Sequence, residues 1–262
     1  MSQRPNFDEE SRLRLQGYEL IAGIDEVGRG ALAGPVVASA VILPESVDLD
    51  WFYMVRDSKE LSHEKRELLY NLINKDALAV GTGIVPFQVI DSINILQATI
   101  LAMTQAVAEL TQQPGFLLID RLTLPQCPIP QKGITRGDKS CLSIACASIV
   151  AKVTRDRIME ELDETYPGYG FAQHKGYGTQ KHISCLQKLG PSQVHRLSFA
   201  PVRDVIALSQ DNVIAVSQSP QSLTFYHSEG KKRPENTAKV KYREGKAQPS
   251  QSEGETNQLQ IE

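Results

Sequence analysis

The fold is decided by residues 21–43, which read IAGIDEVGRGALAGPVVASAVIL. Apolar runs on both sides of a glycine-rich link predict two strands, and the short Gly34-Pro35 connection favours an antiparallel pair. Asp25 and Glu26 close the first run. A carboxylate at the end of a buried strand is costly unless it is paired, opens into a cleft or binds a metal ion. A polar strand end followed by a tight turn is the plain alternative.

Further strands and helices follow this pair. ALAVGTGIV (77–85) and FLLID (116–120) predict strands, and the second ends on Asp120. Apolar residues recur at helical spacing after Ser62, a predicted N-cap, and from about Asp91 to residue 110. Residues 143–166 predict a long helix, and Thr179 begins another. The mixture of strands and helices predicts an α/β or α+β body.

Composition divides the 262 residues into three parts. Residues 1–16 are polar and predict a flexible arm, and residues 17–206 form the predicted catalytic domain. Residues 207–262 predict a disordered tail, because beyond residue 217 serine and glutamine abound and the few apolar residues show no period.

Composition also limits location and partners. No apolar run reaches the roughly 18 residues of a membrane span, and no signal peptide precedes the body, so we expect no membrane and an intracellular location. The four cysteines form no CxxC pair. With a net charge of −3, any nucleic-acid site must be a local patch.

Four acids from three segments each stand at the end of an element, and they are Asp25, Glu26, Asp120 and Asp138. No histidine or cysteine accompanies them, so zinc is not expected. Carboxylates alone suit hard divalent cations and two-metal phosphoryl transfer. The alternatives are that Asp120 forms a turn and that Asp138 or Ser140 caps the long helix. We interpret Asp156, set between two arginines, as a structural salt-bridge residue.

A basic stretch follows the long helix. Between Thr165 and Arg203 there is no Asp or Glu, and the stretch contains His174-Lys175-Gly176-Tyr177-Gly178. Cations beside an aromatic ring and glycines suit a sugar-phosphate backbone, although a solvated basic face would look the same. Lys59, before a predicted helix N-terminus, suits a phosphate or a plain surface turn.

Several longer motifs resemble the ribonuclease HII family, in the family's order across residues 18–203. They are IAGIDEVGRGALAGPVVASAVIL, DSKELS, LLID, GDKSCLSIACASIVAKVTRDRIM, YPGYGFAQHKGYGTQKH and GPSQVHRLSF. The resemblance implies a ribonuclease H-like fold, with a mixed sheet flanked by helices and a helical C-terminal extension. It implies endonucleolytic cleavage of RNA in RNA–DNA hybrids and at ribonucleotides embedded in duplex DNA, giving 5′-phosphate and 3′-hydroxyl ends. It also implies Mn²⁺ or Mg²⁺ as cofactor, and we expect a cytoplasmic monomer.

Residue by residue, the four acids match the family's catalytic and metal-binding carboxylates. Gly28, Arg29 and Gly30 match the loop that contacts the ribose 2′-hydroxyl, and Tyr177 matches the tyrosine that stacks on the neighbouring deoxyribose. The resemblance also implies a phosphate contact at Lys59, and we predict a further substrate contact at Lys175, in the basic stretch. In one departure, Arg121 follows the third acid where many relatives have glycine, which puts the path of that loop in doubt.

Two alternatives stay open at this point. A non-catalytic duplex-binding module on the same fold would not require all four acids. Another two-metal enzyme, such as a DNA nuclease or a phosphatase, would cleave all-DNA duplex or small phosphate esters.

Overall fold

The computed structural model describes residues 4–45 and 50–217. Most of the predicted tail, from residue 218 onward, lies outside the described residues, and its disorder stays a prediction. The α/β body predicted from the sequence is confirmed as a mixed sheet flanked by helices.

Five strands form the sheet of the described part in the order β3-β2-β1-β4-β5. Their bounds are Ile21–Val27 (β1), Val36–Ile42 (β2), Ala79–Val85 (β3), Phe116–Asp120 (β4) and Gln131–Ile134 (β5). The pair β1–β2 is antiparallel, as the short glycine-proline link predicts, and so is the pair β2–β3. The pairs β1–β4 and β4–β5 are parallel, so the carboxyl ends of these three strands meet at one edge.

Helices cover both faces of this sheet. They are Asp8–Arg14 (α1), His63–Asp76 (α2), Phe87–Ala108 (α3), Gly137–Ser140 (α4), Leu142–Thr165 (α5), Phe171–His174 (α6), Gln180–Leu189 (α7) and Ala200–Ser217 (α8), with a 3₁₀ helix at Asp50–Met54. One core lies between the sheet and α2 with α5, and a second lies between the sheet and α3. The side chains of Ser62 and Thr179 cap α2 and α7, as predicted.

Helix α5 lies unusually close to β1. A Cβ atom at Gly23 would stand 2.1 Å from the carbonyl carbon of Ser143, so only glycine fits there. This approach brings the first half of α5 against the strand that carries Asp25. The Ser148 side chain, further along the helix, lines the same cavity as that carboxylate and opposes the rise in its pKa.

Helix α3 begins earlier than predicted and is interrupted. Its helical geometry breaks at Asn94, where φ is 68° and ψ is 164°. The Asn94 Oδ1 atom accepts hydrogen bonds from the N–H groups of Leu96 and Gln97, and so caps the segment that follows. By length and composition α3 is the one helix of the described part that could cross a membrane. Here it packs against β2 and β3.

The predicted flexible arm at residues 1–16 is wrong for its described part, because α1 is packed on the body. Phe7 and Leu13 are buried in two of the cores. Glu10 is 1% exposed, and its Oε1 accepts hydrogen bonds from the Ser143 N–H at 2.9 Å and from the Cys141 thiol at 3.2 Å. Glu10 therefore supplies the cap of α5 for which Asp138 or Ser140 was the alternative expectation.

The C-terminal extension is longer than predicted. The tail was expected from residue 207, but α8 runs to Ser217. Val202 and Val205 on this helix pack against Leu32 and Leu186, so burial of an apolar face stabilises it. Together α7 and α8 form the predicted helical extension.

Candidate active site

Three of the predicted acids meet at the carboxyl ends of β1 and β4. One carboxylate oxygen each from Asp25, Glu26 and Asp120 lies within 4.8 Å of the other two. Strand β1 does not end at Glu26. It continues in pairing with β2 to Val27, while its pairing with β4 stops at Ile24. The freed edge on the β4 side gives the carboxylates room to converge.

The electrostatics of this cluster favour a bound cation. Burial raises the pKa of Asp25 well above its usual range, and the negative charges of Glu26 and Asp120 raise it further. Burial also raises the pKa of Glu26, although Arg29, at 3.2 Å, opposes the shift. The Glu26 Oε2 atom is buried with no hydrogen-bond partner in the described part. An unpaired buried oxygen beside two further carboxylates fits a divalent cation.

The fourth acid, Asp138, lies in the same cavity but outside the group of three. It sits on α4, whose first N–H, from Gly137, donates to Asp120 Oδ1 at 2.8 Å. Burial raises the pKa of Asp138, and the charges of Asp120 and Asp57 add to the shift. It does not cap α5, because Cys141 precedes that helix and makes no side-chain cap.

The carboxylates open into a cavity of about 600 Å³. Charged and hydroxyl side chains dominate its wall, with the ring of Tyr177 on one side. The residues that line it are Asp25, Glu26, Val27, Arg29, Asp57, Ser58, Lys59, Asp120, Arg121, Arg136, Asp138, Lys139, Ser148, Lys152 and Tyr177. A cavity rimmed by cations around an acidic floor can hold a phosphodiester backbone over bound metal ions.

The 28–30 loop, through Arg29, and Tyr177 both line this cavity. Gly28 has φ +95°, and a Cβ atom there would stand 2.2 Å from Nε of Arg155. Ala31 forms a β-bridge with Tyr177, which ties the two segments together. The Arg155 guanidinium lies 5.4 Å from the centroid of the Tyr177 ring.

Two buried arginines hold these segments in place. Arg155 and Arg196 are both 0% exposed, and they donate hydrogen bonds only to main-chain carbonyls within the described part. The acceptors are Ala33, Pro35 and Lys175 for Arg155, and Arg29, Gly34 and Pro35 for Arg196. Burial, with the nearby charge of Arg155, lowers the pKa of Arg196 to about 9. The carbonyl dipoles thus replace water around two cations behind the loop.

The structure places the two predicted lysines in different surroundings. Lys59 lines the cavity, whereas Lys175 lies outside it and pairs through Nζ with Glu160 at 2.6 Å. Lys175 thus forms an ion pair, and its substrate contact stays a prediction. Its main-chain carbonyl still serves the site by accepting from Arg155.

Asp57 lines the cavity but was not among the predicted site residues. It is 6% exposed, accepts from the Lys59 N–H at 3.0 Å and pairs with Lys139 Nζ at 3.2 Å. It therefore joins Lys59 to the segment that carries Asp138. The signal was an acid two residues before Lys59, in the same DSKELS motif.

Two further expectations concern single residues. Asp156 is 4% exposed and pairs with Lys152 at 2.6 Å and Arg66 at 4.0 Å, which confirms a salt-bridge role with partners other than its neighbouring arginines. Arg121 has φ 58°, so it adopts the left-handed conformation that a glycine would favour. The loop after Asp120 therefore makes a left-handed turn at this position without a glycine.

Comparison with known proteins places the chain in a family. The model of the family described as Ribonuclease HII matches residues 22–202. The chain belongs to the ribonuclease HII family. A ribonuclease HII of Dehalococcoides mccartyi is 58% identical over 77% of this chain and 95% of its own length. One of Geobacter sulfurreducens is 52% identical over 78% of this chain and 93% of its own.

Solved structures share the fold at lower identity. The ribonuclease H2 of Pyrococcus horikoshii aligns with a TM-score of 0.62 and 23% identity, over 74% of this chain and all of its own. A ribonuclease HIII crystallised with Mn²⁺ aligns with a TM-score of 0.58 and 17% identity, over 73% and 70%. These likenesses confirm the ribonuclease H-like fold. As a ribonuclease HII family member with an acidic cluster, the chain is a metal-dependent endoribonuclease that acts on RNA–DNA hybrids.

Proposed function

We propose that this ribonuclease HII also cuts duplex DNA at a single embedded ribonucleotide. The observation that carries the proposal is the joining, in one cavity, of the acidic cluster, the 28–30 loop and the ring of Tyr177. The loop lies beside Glu26, where main-chain N–H groups can meet a ribose 2′-hydroxyl, the group that separates RNA from DNA. The Tyr177 ring offers a flat face to the sugar that follows.

For the chemistry we propose that Asp25, Glu26 and Asp120 hold divalent cations together with Asp138. Two such ions, Mn²⁺ or Mg²⁺, would supply an activated water and stabilise the leaving 3′ oxygen, so that 5′-phosphate and 3′-hydroxyl ends result. Lys59 on the cavity wall would bind a backbone phosphate. Asp57, through its ion pair with Lys139 and its bond to the Lys59 N–H, would hold that wall against the acids.

The deciding experiment maps the cut on three matched duplexes, each with Mn²⁺ and with Mg²⁺. One is a long RNA–DNA hybrid, one is DNA with a single ribonucleotide, and one is all DNA. We expect cleavage of the first two, with 5′-phosphate ends, and none of the third. Cleavage of all-DNA duplex would favour the alternative of a DNA nuclease. Binding without cleavage would favour a duplex-binding module.

The role of Tyr177 is tested by Tyr177→Ala. We expect cleavage at a lone ribonucleotide to fall far more than cleavage of a long hybrid, with little change in melting temperature. A parallel loss of both activities and of stability would show that the ring only packs the 174–178 loop.

For its setting we propose a cytoplasmic monomer that meets nucleic acid without a membrane or a second copy of the chain. The support is that one cavity of a single chain contains the acids, the loop and Tyr177. Sedimentation with and without a hybrid duplex tests this, and a dimer at working concentration would contradict it.

A further inference from the structure

Three histidines are buried directly behind Tyr177. His182 and His195 are 0% exposed and His174 is 8% exposed. The rings of His174 and His182 are stacked with centroids 4.3 Å apart, and Phe171 lies edge-on to His182 at 5.6 Å. Neither the metal chemistry nor the substrate contacts proposed above use these rings.

Hydrogen bonds fix the tautomers of two of the rings. The main-chain N–H of Ser192 donates to His195 Nδ1 at 2.9 Å, so the proton of His195 lies on Nε2. That Nε2–H donates to His182 Nε2 at 3.1 Å, which leaves the proton of His182 on Nδ1. The His182 Nδ1–H then donates to the carbonyl oxygen of Tyr177 at 3.0 Å. Each nitrogen of these two rings therefore has a partner, and all three hydrogen bonds run in one direction, from the Ser192 N–H to the Tyr177 carbonyl.

The bonds end on the main chain of the residue that we place against the substrate. The Tyr177 carbonyl also accepts from the Thr179 N–H at 2.8 Å, a local turn that does not reach the body of the protein. On the opposite side, Ala31 bridges Tyr177 to the 28–30 loop. His182 and His195 thus link the rear of Tyr177 to the segment at Ser192.

Simple packing would not need this polarity. Buried rings with two nitrogens each are costly unless every nitrogen is bonded, and apolar side chains would fill the same space without that cost. His174 forms its own bonds, from the Gly176 N–H to Nδ1 at 3.2 Å and from Nε2–H to the Tyr169 carbonyl at 2.8 Å. In the described part no carboxylate hydrogen-bonds to any of the three rings, so neutral histidine chemistry is what the site provides.

We propose that His182 and His195 are positioning residues that hold the main chain at Tyr177, and with it the ring that senses the RNA–DNA junction. The inference rests on the proposed function of Tyr177. It explains why hydrogen bonds run from Ser192 through the two histidines to Tyr177, because the Tyr177 ring must keep its position when a duplex binds. A small displacement of a positioning group can lower a rate by up to about a hundredfold.

The test uses two substitutions of similar size at one position. In His182→Asn the amide nitrogen takes the place of Nδ1 and can still donate to the Tyr177 carbonyl, but contact with His195 is lost. In His182→Gln the amide reaches the place of Nε2 and keeps His195, but the bond to Tyr177 is lost. Each variant loses one bond and the stacked ring, so the two should lose similar stability.

The readout is the ratio of kcat/KM for single-ribonucleotide duplex to kcat/KM for long hybrid. We expect His182→Gln to lower this ratio roughly tenfold and His182→Asn to leave it within about threefold of wild type. Mn²⁺ binding, measured by titration calorimetry, should not change in either. The exposed His63, on α2, gives the control His63→Gln, which should leave both measurements unchanged.

Equal ratios in the Asn and Gln variants would overturn the inference and make the rings simple packing. At His195 the expectation is reversed. Gln there keeps the donor that holds the proton of His182 on Nδ1, whereas Asn loses that donor and lets His182 move its proton to Nε2, which breaks the bond to Tyr177. That second pair decides the question if the His182 variants do not fold. Failure of the proposed function looks different, since the wild-type protein would then not cleave the single-ribonucleotide duplex at all.

Discussion

Replacing Asp120 with asparagine should move activity and stability in opposite directions. Asparagine keeps the Oδ1 atom that accepts from the Gly137 N–H at 2.8 Å, so the local structure should survive. It removes one of three negative charges whose oxygens lie within 4.8 Å of one another. At an effective dielectric constant of about 20, each charge pair at that distance repels by about 3 kcal/mol.

Two such repulsions involve Asp120, but they act on Asp25 less than fully, because burial and the neighbouring charges raise the pKa of Asp25 and so favour its neutral form. We therefore expect the metal-free Asp120→Asn variant to gain about 1–3 kcal/mol in free energy of unfolding. Loss of a cation ligand should at the same time cost about 4 kcal/mol of transition-state stabilisation, or roughly a thousandfold in rate.

The assay is urea unfolding in EDTA beside cleavage of an RNA–DNA hybrid with Mn²⁺. Asp156→Asn is the control, because Asp156 is a carboxylate that is more buried than Asp120 but pairs with Lys152 and Arg66 outside the acidic cluster. It should lose stability and keep most of its activity. The reasoning is refuted if Asp120→Asn is less stable than wild type in EDTA, or if it cleaves the hybrid at a near-normal rate.

The other predictions concern the arm, the loop after the third acid and the buried histidines. Glu10→Ala should lower the free energy of unfolding by about 1–2 kcal/mol, since it uncaps α5. The control Glu9→Ala, which breaks surface ion pairs, should lower it by about 0.5 kcal/mol. Equal losses in urea unfolding would count against the cap. Arg121→Gly should raise the free energy of unfolding by about 0.5 kcal/mol and keep cleavage. Relief of the left-handed conformation, about 1–2 kcal/mol, exceeds the entropy cost of glycine. A fall of more than about 1 kcal/mol in the free energy of unfolding would contradict this. Burial and the neighbouring His182 lower the pKa of His195 from 6.5 to about 4. The fold therefore prefers neutral His195, and its contribution is full above pH 6.5 and is lost as the pH falls towards 4, by about 2 kcal/mol at pH 5. Urea unfolding at pH 7.5 and 5 should show a smaller pH dependence for His195→Gln than for wild type, and the same dependence would disprove the assignment.

The central strands and long helices could be predicted because their apolar patterns are strong and local. FLLID is predicted to the residue, and the carboxylates at the ends of β1 and β4 follow from strand direction alone. Strand β5 could not be found, since QKGI is short and mostly polar and is held by pairing with β4. The parallel pairing of β5 with β4 is a tertiary contact, and no local sequence pattern indicates it.

The arm and the site walls escaped prediction for a related reason. Helix α1 has three acids in its first turn, a pattern typical of a solvated segment. Glu10 is nevertheless buried against the start of α5, where it accepts from the Ser143 N–H, 133 residues along the chain. Asp57 and the buried histidines likewise take their roles from residues that only the tertiary fold brings near. Composition identified a polar or basic stretch in each case, and the fold decided which side chains turned inward.

The capping of α5 by Glu10 has a consequence for how the chain is made. Glu10 and its partner Ser143 are separated by 133 residues. At about 5–20 residues per second, a ribosome needs on the order of ten seconds to supply that partner. A seven-residue helix such as α1 is too short to persist alone in water. Helix α1 therefore leaves the ribosome well before its partner, and until α5 docks it remains the natural point of attack for a protease on the growing chain.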